Sequence, residues 1–477
     1  MHDRSGWVLC GALVMVLAGC GGSSSAVDAG ADLPVEVATD LPTETGAEVE
    51  AADATDVSAN DASPEAAEPD SKDVEEPADV PADVAPDAPP FQWAAGCEGT
   101  GTGAAWTPIH DETFLRGPLV QMSDRDTVTL LWRPAVASAE PGCVDLSWGD
   151  QSRTECGTAD ANGQYEVAVN GLPPATEIAY TVRIGDVRTA QMTFRTMPDR
   201  PVPMKIAVFA DAHNNAENLR KMSALALAEG VDLAFSVGDQ ANAGLPEEYD
   251  QCFDGWRDLG ARVNLWTVIG NHDEKNEPGY FESFALPHGN AEEESLGTAE
   301  GYWARRIGNT WIGGGWVRDF YFSMPDSDFG EVAWFRQQFE SADFKTAQWR
   351  LFFIHQPAYV TQWGSTCDYD GEDCLKVAMI PLLAQAGVQA TFHGHMHGIE
   401  WGAVEGVNTF VVGGVNGNMD DGICPTPEGF PSPWHSIYNI ANFAIVETGC
   451  DALTVRYLDL EGNELQKIDV PASTPRN

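Results

Sequence analysis

Between residues 204 and 397 the chain repeats one pattern five times: a short apolar run ends abruptly in Asp, His, Asn or Gly. Lys205-Ile206-Ala207-Val208-Phe209-Ala210 leads into Asp211-Ala212-His213. Val231 to Val237 leads into Gly238-Asp239, and Leu265-Trp266-Thr267-Val268-Ile269 into Gly270-Asn271-His272-Asp273. Leu351-Phe352-Phe353-Ile354 precedes His355, and Ala390-Thr391-Phe392 precedes His393-Gly394-His395-Met396-His397. Between the first three runs, residues 217–229 and 247–259 have helical spacing, with Leu219, Met222, Leu225 and Ala226 able to share a face. Buried strands alternating with helices imply an α/β layer structure. In such sheets the carboxyl ends of strands converge on one crevice, so five separate loops can meet at one site.

The residue types at those ends suit metal ligation. In extended backbone, residues i and i+2 point the same way, so Asp211 with His213, and His395 with His397, can each offer two donors to one side. Asp, His and Asn are borderline-hard donors suited to Mn, Fe or Zn. Gly238, Gly270 and Gly394 permit tight turns just before Asp239, Asn271 and His395. No cysteine lies in these loops, which disfavours a thiolate zinc site.

The order D-x-H, G-D, G-N-H-D, H, G-H-x-H resembles that of the calcineurin-like metallophosphoesterases, and the resemblance runs over residues 204–460. It implies a four-layer αββα sandwich holding two metal ions (Mn, Fe or Zn). By resemblance, one ion takes Asp211, His213, Asp239 and His397, and the other takes Asp239, Asn271, His355 and His395, with Asp239 bridging. His272 would approach the leaving-group or phosphoryl oxygens as a general acid, with Asp273 orienting its ring. The reaction implied is hydrolysis of a phosphate ester by a hydroxide held between the ions. Strands read at residues 409–412, 443–446 and 453–457 are placed in the second sheet of the sandwich.

Residues 97–198 read differently, as short strands separated by Gly, Pro, Asn and Asp clusters, which suggests an antiparallel sandwich. Gly171-Leu172-Pro173-Pro174-Ala175-Thr176-Glu177-Ile178-Ala179-Tyr180 resembles a corner of fibronectin-type-III domains, and also the N-terminal domain of purple-acid-phosphatase-like proteins. Purple acid phosphatases carry a metal-binding tyrosine three residues after the bridging aspartate; Asn242 stands there in this chain, which argues against a mandatory ferric site.

The N-terminus is of another kind. An apolar stretch from Trp7 to Ala18 is too short to span a bilayer and, with Arg4 before it, has the layout of a secretory signal. Leu17-Ala18-Gly19-Cys20 resembles a bacterial lipobox, which implies lipidation at Cys20, membrane attachment through that lipid, and an exported protein at the outer membrane or cell surface. Residues 26–90 hold 19 acidic residues and one lysine, and residues 23–90 have no aromatic residue, so this segment reads as an extended solvated tether. The segments are therefore a signal (1–20), a linker (21–92), a fibronectin-type-III-like sandwich (93–199) and a catalytic unit (200–477). The formal net charge of −47 argues against nucleic acid as a partner.

Beyond Cys10 and Cys20 eight cysteines remain, an even number suited to disulfides, with Cys143–Cys156 and Cys367–Cys374 expected as local pairs. Asn214, Asn215, His393, Gln356, Tyr359 and His435 stand near the motifs as candidates for either substrate contact or structure. The Trp-rich stretches (Trp303, Trp311, Trp316, Trp334, Trp349) read as core. The function expected is an exported phosphoesterase acting on monoesters or diesters; the alternative from another class is a non-catalytic surface-binding lipoprotein that keeps its metals for stability.

Overall fold

A computed structural model describes residues 108, 113–121, 124–286, 301–318, 330–361, 367, 369–422 and 424–472. The signal, Cys20, the acidic tether and Cys97 lie outside the described residues. Those that are described belong to one compact unit.

The first part is a sandwich of short strands: β1 (Phe114–Gln121), β2 (Thr127–Pro134), β3 (Gly142–Trp148), β4 (Gln151–Gly157), β5 (Tyr165–Asn170), β6 (Glu177–Ile184), β7 (Val187–Arg188) and β8 (Met192–Arg195). One sheet has the order β1-β2-β5; the other runs β4-β3-β6-β7, with β8 on β6. Strand β5 shows why: Tyr165, Val167 and Val169 are buried and alternate with exposed neighbours, the period of a half-buried strand. Both sheets feed one core, in which Trp132 stacks on Tyr165 at 5.4 Å. Cys143 and Cys156 lie opposite each other on β3 and β4 and are joined by a disulfide, as expected.

The second part follows as β9 (Lys205–Phe209), α1 (Ala216–Glu229), β10 (Leu233–Val237), α2 (Pro246–Gly260), β11 (Asn264–Val268), α3 (Glu277–Phe281), β12 (Trp303–Ile307), β13 (Thr310–Gly314), α4 (Gly330–Glu340), α5 (Ala342–Lys345), β14 (Trp349–Phe353), α6 (Ile380–Ala386), β15 (Ala390–His393), β16 (Ile399–Val404), β17 (Val407–Val412), β18 (Trp434–Ile437), β19 (Phe443–Thr448), β20 (Ala452–Leu458) and β21 (Glu464–Pro471). One sheet has the order β11-β10-β9-β19-β20-β21 and the other β12-β13-β14-β15-β17-β16-β18. The sheets pack face to face, with Phe235 of β10 stacked on Phe353 of β14 at 4.1 Å. Helices α1 and α2 cover the outer face of the first sheet through Leu219, Met222, Phe253 and Trp256. Phe335, Phe339, Phe344 and Leu383, from α4, α5 and α6, cover the second. The result is the helix–sheet–sheet–helix arrangement that the sequence suggested.

One expectation needs correction. Residues 443–446 and 453–457 are not in the second sheet: β19 pairs antiparallel with β9, and β20 with β19, so both extend the first. An apolar strand is legible as a strand, but its pattern does not say which sheet edge it completes. Leu225 packs against the same core as Leu219, Met222 and Ala226 but is only half-buried, while those three are fully buried.

The sandwich is fastened to the second part by buried polar contacts. The Arg116 guanidinium donates to Asp250 of α2 at 2.5 Å, to Gln164 at 3.0 Å and to Ser283 at 3.1 Å. The Tyr180 hydroxyl donates to the carbonyl of Ala261 at 2.7 Å, across the junction.

Candidate metal centre

The five loops meet where the sheets' carboxyl ends come together. Asp211 and His213 follow β9, Asp239 follows β10, and Asn271 and His272 follow β11; His355 follows β14, and His395 and His397 follow β15. The loops are laced to one another through the backbone. Asp211 N donates to Gly238 O (3.1 Å) and His213 N to Asp239 O (3.0 Å). His272 N donates to Asp239 Oδ1 (2.8 Å) and His395 N to Asp211 Oδ1 (2.9 Å). These turns are strained. Of nine described non-glycine residues with positive φ, five sit here: Asp211, His213, Asn214, Asp239 and His395. Such backbone costs on the order of 1–3 kcal/mol per residue and persists only where its surroundings over-determine it. Two glycines are required by contact. A Cβ on Gly270 would lie 2.2 Å from Asp239 Oδ1, and one on Gly238, whose φ is +86°, would lie 2.3 Å from His355 Nδ1.

The side chains form overlapping groups. Asp211, His213 and His397 form one, His213, Asp239 and His272 a second, and Asp239, His355 and His395 a third; in each, one ligand atom per residue lies within 4.8 Å of the others. Asp239 stands in two of them, its Oδ2 3.7 Å from His213 Nε2 and 3.2 Å from His355 Nε2. Three donor atoms of this cluster, His213 Nε2, His355 Nε2 and Asn271 Oδ1, are buried without any hydrogen-bond partner. A buried polar atom left bare is costly, and two of these, His213 Nε2 and His355 Nε2, flank Asp239 Oδ2, which fits cations there. The imidazoles are oriented from behind. His355 Nδ1–H donates to Val237 O (2.7 Å), His397 Nδ1–H to Asn418 O (2.7 Å) and His213 Nδ1–H to Asn242 Oδ1 (3.0 Å), leaving each Nε2 lone pair facing the others. That is how metal-binding histidines are usually held. Neutral imidazoles, carboxylates and an amide oxygen suit two borderline divalent ions.

The electrostatics agree for His213 and His395 but not for His355, whose imidazole is lowered by burial and raised more strongly by Asp239, to about 10. Burial pushes the Asp211 carboxyl up to about 7, against the pull of His397 and His355. Burial also acts on Asp239, but His355 and His213 outweigh it and hold this carboxyl well below its usual range. Burial lowers the His213 and His395 imidazoles to about 3, the neutral form in which imidazole binds metals. His272, beside the cluster, is also lowered, mainly by burial and in part by Lys275.

Other expected site residues take different places. Asp273 does not touch the His272 ring: its carboxylate accepts from the backbone N–H of Gly270 (3.1 Å) and Ala241 (3.1 Å) and from the Tyr249 hydroxyl (3.0 Å). The His272 ring is held instead through Nδ1, which lies 2.8 Å from Asn242 O and 2.9 Å from the Lys275 ammonium. Asn215 caps α1, its Oδ1 accepting from Asn218 N (3.1 Å), and Asn214 donates to Gln251 (2.8 Å). His393 is buried in the sheet, with Nε2 beside Thr391 Oγ1 at 2.8 Å, and His435 stacks on Trp401 at the sheet edge. Gln356 is buried, its carbonyl accepting from His393, and Tyr359 packs edge-on against Phe430. Cys367 bonds to Cys424, not to Cys374, and Cys450 is disulfide-bonded as well. Nearness in sequence was the only guide to Cys374, and the fold brings residue 424 to Cys367 across a separation of 57 residues. The sequence reading missed Tyr249, Asn418 and the bracing role of Asn242. Only Asn242 had a signal, its position three residues after Asp239.

Residues 204–398 match the family model of the calcineurin-like phosphoesterases. Purple acid phosphatase 15 of Arabidopsis thaliana is 25% identical over 347 residues, covering 60% of this chain and 61% of that protein. Purple acid phosphatase 23 of the same plant is 24% identical over 274 residues, covering 50% and 57%. The chain thus spans about three-fifths of the length of these curated relatives. Among solved structures, purple acid phosphatase PPD1 from yellow lupin (Lupinus luteus) seeds aligns over 75% of this chain and 74% of its own, with a TM-score of 0.59 at 15% identity. PhoD aligns over 77% and 94%, with a TM-score of 0.55 at 13% identity. Those two likenesses concern the fold. Together with the ordered motifs and the cluster they build, the match makes residues 204–398 similar to the calcineurin-like phosphoesterases, within an architecture like that of the purple acid phosphatases.

Proposed function

We propose that this protein is a two-metal phosphoesterase acting on phosphate monoesters, exported and anchored by a lipid on Cys20. The observation that carries the reading is the set of donor groups linked through His213 and Asp239, with the bare, buried Nε2 atoms of His213 and His355 on either side of Asp239 Oδ2. Asp211, His213, Asp239 and His397 would hold one ion; Asp239, Asn271, His355 and His395 the other. Two such ions, when bound, polarise the phosphoryl group and acidify water towards neutrality. The protein's own part is then clear. The laced loops fix the donors before substrate arrives. The Lys275 ammonium lies 2.9 Å from His272 Nδ1 and would donate to it, so that the ring carries its proton on Nε2, the atom that gives it to the leaving oxygen. The names of the curated relatives, both phosphatases, support monoesters over diesters.

The test is direct. The protein is stripped with a chelator, reloaded with Mn, Fe or Zn, and assayed on p-nitrophenyl phosphate and bis-p-nitrophenyl phosphate. Metal-dependent turnover favouring the monoester is expected. Two ions bound with no turnover of either substrate would sink the enzymatic reading and leave a surface-binding role. Radiolabelled palmitate incorporated into the parent and absent from Cys20→Ala would support the anchor; equal label in both would remove it.

A further inference from the structure

The histidines around the cluster are held from behind by oxygen atoms, and His213 is the exception in kind. His355 and His397 donate Nδ1–H to main-chain carbonyls, of Val237 and Asn418 respectively. His213 donates to a side chain, Asn242 Oδ1, at 3.0 Å. The Asn242 amide nitrogen in turn donates to Asn214 Oδ1 and to His213 O (3.4 Å). The carbonyl of this same residue lies 2.8 Å from His272 Nδ1 and accepts from the Lys275 ammonium at 3.0 Å, which also lies 2.9 Å from that Nδ1. One asparagine thus touches a candidate metal ligand with its side chain and the candidate acid with its backbone. The two rings lie edge to face, 4.6 Å between centroids.

We propose that Asn242 is a positioning residue that presets His213 as the Nδ1–H tautomer, with Nε2 free to bind a metal, and that anchors the carbonyl beneath His272. The inference rests on the two-metal reading above. His213 Nε2 is buried and bare, so a ring in the other tautomer would point a proton at the ion. Nothing else among the described hydrogen bonds of His213 Nδ1 would prevent that. Removal of such a partner usually lowers metal affinity by about 10- to 100-fold.

Three variants and one spectrum decide it. In the metal-free parent, nitrogen-15 NMR of the His213 imidazole should show the Nδ1–H tautomer, and in Asn242→Ala a mixture. Calorimetric titration with manganese should show two sites in the parent, one of them weakened about 10- to 100-fold in Asn242→Ala. Asn242→Asp keeps the acceptor and should restore that site; Asn242→Leu, which lacks an acceptor, should not. Thermal unfolding of the metal-free forms should be nearly equal, which a merely structural role would not give. An Nε2–H tautomer in the parent, or parental affinities at both sites in Asn242→Ala, would overturn the proposal. No manganese binding by the parent would overturn the two-metal reading, and this inference with it.

Discussion

Asp239 stands in two of the three donor groups and is the one carboxylate in each, so its removal should cost more than that of any neighbour. Asp239→Asn keeps the shape and one acceptor but loses the charge that faces His213 and His355. We expect bound metal to fall below two equivalents by atomic absorption, and turnover to drop by at least about 100-fold, beyond the loss seen for residues that only orient ligands. Gly270 tests the packing behind Asp239. The added methyl of Gly270→Ala would lie 2.2 Å from Asp239 Oδ1, against backbone and a fixed carboxylate that cannot swing aside. A cost of about 1–3 kcal/mol in urea unfolding is expected, with weakened metal binding; a parental titration would contradict it. At this scale the sequence was most legible. Each donor follows an apolar run, and the end of a buried strand fixes where the next residues point. Asp273 was misread because adjacency to His272 suggested contact, whereas residue i+1 of a tight turn faces the other way, into the loop backbone that its carboxylate in fact binds.

At the scale of elements, buried Glu400 ties β16 to its surroundings. It accepts from Thr361 N (2.9 Å), Trp434 Nε1 (2.8 Å) and the Tyr438 hydroxyl (2.6 Å). Burial nevertheless dominates and raises its pKa above the ordinary 4.5. A raised carboxyl favours the fold when protonated. That contribution is complete below the unfolded value and is lost as pH rises through the folded one. Glu400→Gln should therefore lose less thermal stability than the parent as pH is raised from about 4 to about 7; parallel melting curves would refute this. Helices α1 and α2 were read to within a residue from their spacing, and the structure shows Asn215 capping α1 and Gly230, at φ 71°, stopping it; α3 to α6 were not read. Strand membership was less legible. Strands β12 and β18 contain Arg305, Arg306 and His435, which break alternation, and β19 and β20 have the right pattern but a partner chosen only by long-range packing.

At the scale of the whole molecule, the sandwich and the catalytic unit behave as one body. Asp250 of α2 receives both Arg116 and Arg133 of the sandwich, each at 2.5 Å, and the two guanidiniums are mostly buried. Asp250→Ala leaves both cations without their shared partner and should destabilise the protein by about 3 kcal/mol. The expected readout is a lower urea midpoint with separate transitions for the two parts; an unchanged single transition would contradict it. No sequence pattern announced this junction, since a lone arginine in a strand and an aspartate in a helix read as surface residues. The Cys367–Cys424 bond carries a consequence in time. Residue 367 is two positions from Tyr369, whose ring lies 5.4 Å from that of His395, and residue 424 is close to Asp420, which accepts from His397 N at 2.8 Å. The bond thus clasps the two rim segments that flank this side of the cluster. Both sulfurs leave the ribosome as thiols, and a reducing compartment keeps them so. Maturation then has an order: the rim closes only after the chain reaches oxidising surroundings, and material made under reducing conditions should gain its full metal complement only when an oxidant is supplied.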